Sequence, residues 1–278
     1  MGRERSRSGK AEPPFWLGSA EQVIEASVTA QRSIRQALDQ AIAEVLSLND
    51  NRVTHRRRTV RRLIDLSHPL EHGQLNFPSD PKISVVVHNT IQSIGYNITE
   101  ISMSTHQGTH LDAPYHFFDD GKTLEQIPLE RFYGAATLVD LAPGGSLPPK
   151  TPLTLKMFEP YSDLLRTGAK VIYRTGWDRM FGHPEFFSEF PTLTLDAARY
   201  LASRGIGLLG MDTPTPSVDW MECHHILLAK GVEIVIVEAL ANLDQLPRHF
   251  TFAGFPLKIT GRDGSPIRAV AILDEDVD

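Results

Sequence analysis

The chain has 278 residues, 41% hydrophobic and 22% charged, with a net charge of −6 and one cysteine. It is long enough for one full core plus an extension, and its composition is that of a soluble globular protein. No run approaches the roughly 18 apolar residues of a membrane span, and the lone Cys223 excludes an internal disulfide framework and fits a reducing cytoplasm.

Charge divides unevenly. Residues 1–62 hold 12 Lys/Arg against 7 Asp/Glu, whereas the remainder hold 16 against 27. The opening MGRERSRSGK lacks the apolar core of a signal peptide; it matches the M-G-x-x-x-S acylation pattern through Gly2 and Ser6, a pattern too short to carry weight. The basic runs RERSR and His55-Arg56-Arg57-Arg58 through Arg62 read as a solvated arm. No nucleic-acid reader motif accompanies them, so neither nucleic acid nor membrane is expected as a partner.

Residues 1–14, polar and ending in Pro13-Pro14, read as disordered. Ser19 followed by Glu21-Gln22 then marks a helix entrance. Val23, Ile24, Val28, Ile34, Leu38, Ile42, Val45 and Leu46 recur at helical steps, predicting one amphipathic helix, or two, ending near Asn49-Asp50-Asn51. Such a stripe needs a partner, and we expect an oligomer contact. From Leu63 the texture changes to short strand-like runs: RRLIDLSHPL, ISVVVHNTI, ATLVDLA, KVIYRTG, IGLLGMD and VEIVIVEAL. The closing PLKITGRDGSPIRAVAIL carries a turn at Gly261–Gly264, so its two halves are expected to pair as a hairpin. Helices are expected over 153–167 and over 194–204, the latter between Thr194 and Gly205. The outcome is a basic arm over 1–62 and a mixed α/β domain over 63–278.

Residues 106–116, HQGTHLDAPYH, hold three of the chain's 11 histidines. On a flat strand His106 and His110 would stand roughly 13 Å apart, too far to share one metal ion. Gly108, two threonines and Pro114 argue against a long helix, so a sharply bent loop with Gly108 at the bend satisfies both constraints. Imidazoles with a carboxylate suit zinc or a neighbouring first-row divalent ion. Surface histidines clustered around a cap are the bland alternative, and an isolated His-x-x-x-His would merit it.

The same string resembles the H-x-G-T-H-x-D-x-P-x-H signature of the cyclase superfamily of metal-dependent hydrolases, which includes bacterial kynurenine formamidases and isatin hydrolases. The resemblance extends through Asp65-Leu66-Ser67, Arg174-Thr175-Gly176-Trp177, Gly210-Met211-Asp212, Val237-Glu238-Ala239-Leu240, Pro256-Leu257 and Gly264 through Arg268, over residues 63–275. It implies an α/β fold with a central barrel-like β-arrangement flanked by helices, to which the N-terminal helical extension is added. It implies that His106, His110 and Asp112 are metal ligands, completed by Glu238 and by a histidine from Cys223-His224-His225. His224 aligns better than His225, although both spacings to Glu238 depart from the family's. The metal would be one or two Zn2+ or Mn2+ ions, and His116 the catalytic acid/base. The implied reaction is cleavage of a C–N amide bond by metal-activated water, kynurenine formamidase-like, on a small aromatic amide. The alternatives are an isatin hydrolase-like opening of a cyclic amide or lactone and, in another class, a non-catalytic metal-binding scaffold. Phe77 and Trp177 are expected at the substrate, with packing as the competing role for each. His68 and Asp212 are expected in pocket-wall and turn-capping roles, and a dimer or tetramer is implied.

Overall fold

The computed structural model describes residues 20–50 and 58–277. The expectations for 1–14, Gly2, Ser6, Ser19 and His55–Arg57 therefore fall outside the described residues. Two compact units divide at Arg58. In the first, α1 (Ala20–Asp50) is a single unbroken helix of 31 residues. Ile34, Leu38 and Ile42, spaced by four, share one of its faces.

The second unit starts at Thr59 within β1 (Arg58–Asp65), followed by a ribbon of β2 (Ser84–Asn89) and β3 (Ile98–Ser102) with the single-turn α2 (Ile91–Ile94) between them. Next come β4 (His110–Asp112), β5 (Tyr133–Asp140), β6 (Pro152–Leu153), α3 (Leu155–Phe158), β7 (Lys170–Arg174) and β8 (Thr192–Leu193). The chain closes with α4 (Leu195–Ser203), β9 (Leu208–Met211), α5 (Trp220–Leu228), β10 (Val235–Glu238), β11 (His249–Ala253), β12 (Gly264–Pro266) and β13 (Val270–Val277). Nine strands form one curled half-barrel sheet in the order β1-β13-β11-β5-β7-β9-β10-β4-β12. Its centre, β5-β7-β9-β10, is parallel, and β4, β11, β12 and β13 pair antiparallel.

The two-residue period of the central strands divides their side chains between two cores. Ile172, Leu208, Val235 and Val237 join Leu111, Phe250 and Phe252 on one face. Val171, Tyr173, Leu209 and Ile236 pack on the other against Ala197, Leu201, Cys223 and Leu227 of α4 and α5. Burial on both faces explains why these strands read as continuous apolar runs rather than alternating ones. Leu111 points into the first core, so its neighbours His110 and Asp112 face the second side, toward α5.

Two sequence expectations are corrected. The helix expected over 153–167 is one turn, α3, running into a 3-10 turn over Glu159–Tyr161; Pro160 there has no N–H to continue it. The closing segment does not form a hairpin. Both sides of β13 are taken, by β1 and β11, and β12 pairs instead with β4 at the other end of the sheet. Pairing at that distance requires close approach: a Cβ on Gly264 would lie 2.7 Å from His106 Cε1 and 2.9 Å from the Leu111 carbonyl. A third cluster of Trp177, Phe186, Phe190 and Ala239 packs beside the sheet. His68 stacks on Phe181 at its margin, with centroids 3.7 Å apart.

Gly264→Ala should therefore destabilise the protein by about 1–3 kcal/mol, the usual cost of overpacking, as read from urea unfolding. Wild-type stability in that variant would remove the close-approach argument. Burial lowers His68 to about 4, against a smaller upward pull from Asp65. Its contribution to stability is thus complete above its ordinary value of 6.5 and is lost as pH falls toward 4. The stability difference between wild type and His68→Phe should shrink over that window; a pH-independent difference would contradict it.

Candidate metal centre

The segment Thr105–Thr109 is a tight turn, and Gly108 adopts φ 60° in the left-handed region. A Cβ there would also strike Leu70 Cδ2 at 2.7 Å. The bend brings the His106 and His110 rings to 5.1 Å between centroids, perpendicular to each other. β4 then presents His110 and Asp112 on one side, and a 3-10 turn over Pro114–His116 folds His116 back to 4.0 Å from the His106 ring. Across the ladder Glu238 is the register partner of His110. His224 enters from α5, which covers this face.

Each of three histidines has one ring nitrogen anchored and the other turned toward a carboxylate. His110 Nδ1 donates to the Gly108 carbonyl (2.8 Å), and its Nε2 lies 3.3 Å from Glu238 and 3.5 Å from Asp112 Oδ1. His224 Nδ1 donates to the Trp220 carbonyl one helical turn back (2.7 Å), and its Nε2 lies 3.3 Å from Glu238 and 3.4 Å from Asp112 Oδ2. His106 Nε2 meets Asp263 at 2.7 Å, and its Nδ1 meets Asp112 Oδ1 at 2.8 Å. The two oxygens of Asp112 thus face different histidines. His110 Nε2, Asp112 Oδ2 and Glu238 Oε1 are buried without a hydrogen-bond partner. Lone pairs that converge unpaired in a buried space call for a cation, and imidazole with carboxylate is a first-row divalent donor set. The donor atoms of His106, His110 and Asp112 lie within 4.8 Å of one another, as do those of Asp112, His116 and His224.

Without a cation, protons take its place. Burial opposes charge on both His106 and His224, yet Asp112 with Asp263, or with Glu238, raises each to about 10. Burial likewise opposes ionisation of Asp112 and Glu238, and the surrounding histidines nevertheless hold both carboxyls down. His116 differs. Burial lowers it to about 4 despite the upward pull of Asp112, with His106 and His224 adding to the downward push. A neutral imidazole therefore sits beside a strongly charged cluster.

Above the cluster lies a cavity of about 260 Å3, with His106, His110, His116, His224 and Glu238 in its floor and Phe77, Phe181, Phe186, Phe187 and Trp220 in its walls. Phe77 lines it and packs edge-on against Trp220 (6.0 Å). Trp177, expected at the substrate, is instead 4% exposed behind the wall, where its indole N–H donates to the Phe186 carbonyl (3.1 Å). His225 is exposed on the outer side of α5 against Phe117 and Phe118, so of the adjacent pair it is His224 that reaches the cluster. In the turn between α5 and β10, Gly231 and Glu233 take positive φ. Asp212 is buried away from the cluster and accepts from the Thr175 and Gly176 backbones. Thr109 donates to the Ala239 carbonyl (2.6 Å) and accepts from the His68 backbone (3.0 Å), pinning the loop to β10's end. Sequence reasoning missed Asp263. Its signal was visible as an acidic residue inside the Gly261–Gly264 turn, but the turn was assigned to a hairpin.

The family described as Putative cyclase matches residues 64–219. A kynurenine formamidase from Bacillus cereus is 32% identical over 217 residues, covering 74% of this chain and 95% of the relative. Among solved structures, isatin hydrolase A from Labrenzia aggregata, bound to benzyl benzoate, superposes with TM-score 0.69 at 26% identity, covering 86% of this chain and 100% of that one. A potential metal-dependent hydrolase with cyclase activity superposes with TM-score 0.62 at 25% identity, covering 79% and 100%. The match to the family over more than half the chain, together with the long alignment to the formamidase, shows that this chain belongs to the cyclase family.

Proposed function

We propose that the protein is a metal-dependent hydrolase of C–N amide bonds, of the kynurenine formamidase type. One observation carries this reading: three anchored histidines turn their free nitrogens onto two buried carboxylates with orphaned oxygens, at the floor of an aromatic cavity. His106, His110 and Asp112 would hold one ion, and Asp112, His224 and Glu238 a second, with zinc or manganese as the metal. Asp112 is suited to bridging because its two oxygens face the two halves. When bound, a divalent cation supplies Lewis-acid polarisation of a carbonyl and a lowered water pKa.

The chain's own groups do the rest. His116, neutral and at the cavity floor, accepts a proton from the attacking water and returns it to the leaving nitrogen. Phe77 and Trp220, packed edge-on against each other, offer one apolar wall for an aromatic ring to rest on and exclude water from the reacting carbonyl. A second reading has its own support. No Lys or Arg lines the cavity among the described residues, which favours a substrate without a carboxylate, such as the cyclic amide of an isatin hydrolase-like reaction. The homo-oligomer reading is supported by the β2–β3 ribbon, where Val87 and Ile101 are 70% and 58% exposed on an open two-stranded sheet.

Zinc- or manganese-loaded protein should hydrolyse N-formylkynurenine or isatin, and chelator treatment should abolish turnover of both. Turnover that survives complete metal removal would overturn the reading. The ratio of the two rates decides between open-chain and cyclic amides. His116→Ala should retain metal and lose about a hundred- to ten-thousand-fold in kcat, the range of general acid–base catalysis. Asp112→Ala should lose both metal and activity, by elemental analysis and assay. Full activity in either variant would exclude the role given to that residue.

A further inference from the structure

Asp263 has no part in the ligand set above, yet at 2.7 Å from His106 Nε2 it makes the shortest carboxylate contact to any of its histidines. We infer that Asp263 is the positioning residue of the metal centre: it fixes His106 as the Nε2–H tautomer, which turns the Nδ1 lone pair toward the cation. The inference rests on the metal-hydrolase reading.

The geometry carries it. A carboxylate can only accept, so the ring nitrogen 2.7 Å from Asp263 Oδ2 bears the proton. Nδ1 faces Asp112 Oδ1 at 2.8 Å and, without a cation, is protonated as well. A cation held by Asp112 would displace that proton and take the Nδ1 lone pair, while Asp263 keeps the proton on Nε2. His110 and His224 are set in the same sense, but each by a backbone carbonyl. Of the three, His106 alone is anchored by an ionised side chain, an arrangement that raises ligand basicity as well as fixing orientation. The carboxylate is itself held. Thr105 Oγ1 donates to the same oxygen (3.1 Å), and the Asp263 carbonyl accepts from the Ala113 backbone N–H (2.7 Å).

The strand order delivers this contact. β12 lies antiparallel to β4 with Gly264 opposite Asp112, so the residue before Gly264 lands beside the turn that carries His106. Gly264 lacks the Cβ that would strike His106 Cε1. The same Asp263 oxygen is 3.7 Å from His116 Nδ1, so one carboxylate faces both a metal-side histidine and the proton-transfer histidine. His106, His116 and Asp263 also have ligand atoms within 4.8 Å of one another. They do not form an independent ion site, because His106 cannot offer its single lone pair to both groups.

The test is zinc affinity of wild type, Asp263→Ala and Asp263→Asn by competition with a chromophoric chelator, combined with long-range 1H–15N spectra of the zinc-loaded proteins. We expect the wild-type His106 proton on Nε2. Asp263→Ala should bind zinc about ten- to a hundredfold more weakly, the usual cost of losing such a partner. Asp263→Asn keeps an accepting oxygen and should lose less, and it serves as the reporter if the alanine variant does not fold. A proton on Nδ1 of His106 in wild type, or wild-type zinc affinity in the variants, would overturn the inference while leaving the metal-hydrolase reading intact. Wild-type protein that binds neither zinc nor manganese would overturn that reading, and this inference with it.

Discussion

Two carboxylates on adjacent strands, Asp112 on β4 and Glu238 on β10, are 1% and 5% exposed, and much of the structure is arranged around that fact. Burying a bare carboxylate costs several kcal/mol unless positive charge or hydrogen bonds compensate. Here histidines from the 105–109 turn, from β4 and from α5 converge on the pair. The sheet order makes this possible. β4 is antiparallel to the end of a parallel sheet, so its His110 and Asp112 lie alongside the carboxyl end of β10. Open α/β sheets place their ligand sites at that end because the loops leaving the strands diverge there.

The layer behind the site obeys the same economy. Asp212, leaving β9, accepts from the Thr175 hydroxyl (2.7 Å) and from the Thr175 and Gly176 N–H groups, while burial raises it to about 6. Arg174 at the end of β7 is committed to Asp140 and to the carbonyls of Ala142 and Gly145. These bonds tie together the ends of β5, β7 and β9. The chain then turns into Trp177, whose indole holds the Phe186 backbone, and Phe186 forms part of the cavity wall. A polar network outside the cavity therefore sets the position of an aromatic surface that lines it.

The sequence disclosed the site unevenly, for identifiable reasons. His106, Gly108, His110 and Asp112 were legible because their spacing is local: a bend at one glycine suffices to assemble them. Glu238 was reached through the family resemblance, which singles out the one carboxylate near the end of the apolar run VEIVIVEAL. The choice between His224 and His225 was not legible, because it depends on which side of α5 faces the sheet, and α5 itself was unforeseen. Its WMECHHILL has buried residues on one side but weak amphipathic contrast. The role of Asp263 was hidden for a different reason, although the acidic residue in its turn was in plain sight. Its contact with His106 spans 157 positions and depends on β12 joining β4 rather than β13, which no local pattern reports. The helix expected over 153–167 fails for a local reason, since Pro160 lacks the N–H that would carry it beyond one turn.

The floor of the cavity and its walls have different origins. The floor is fixed by strand register, by β4 and β10 above all, and small shifts there would break several contacts at once. The walls come from connecting segments: Leu75 to Asp80, Phe181 to Phe187, and Pro214 to Trp220. Such segments tolerate change without loss of the scaffold. Apolar walls contribute binding energy in rough proportion to buried area but discriminate poorly among rings of similar size. Orientation must then come from the few polar groups among them, Asn76, Ser79, Asp80 and Thr215. Under the proposed reading, different loops over the same floor would present open-chain or cyclic amides to the same His116. Substrate choice in this chain therefore resides in its loops, and reaction class in its strands.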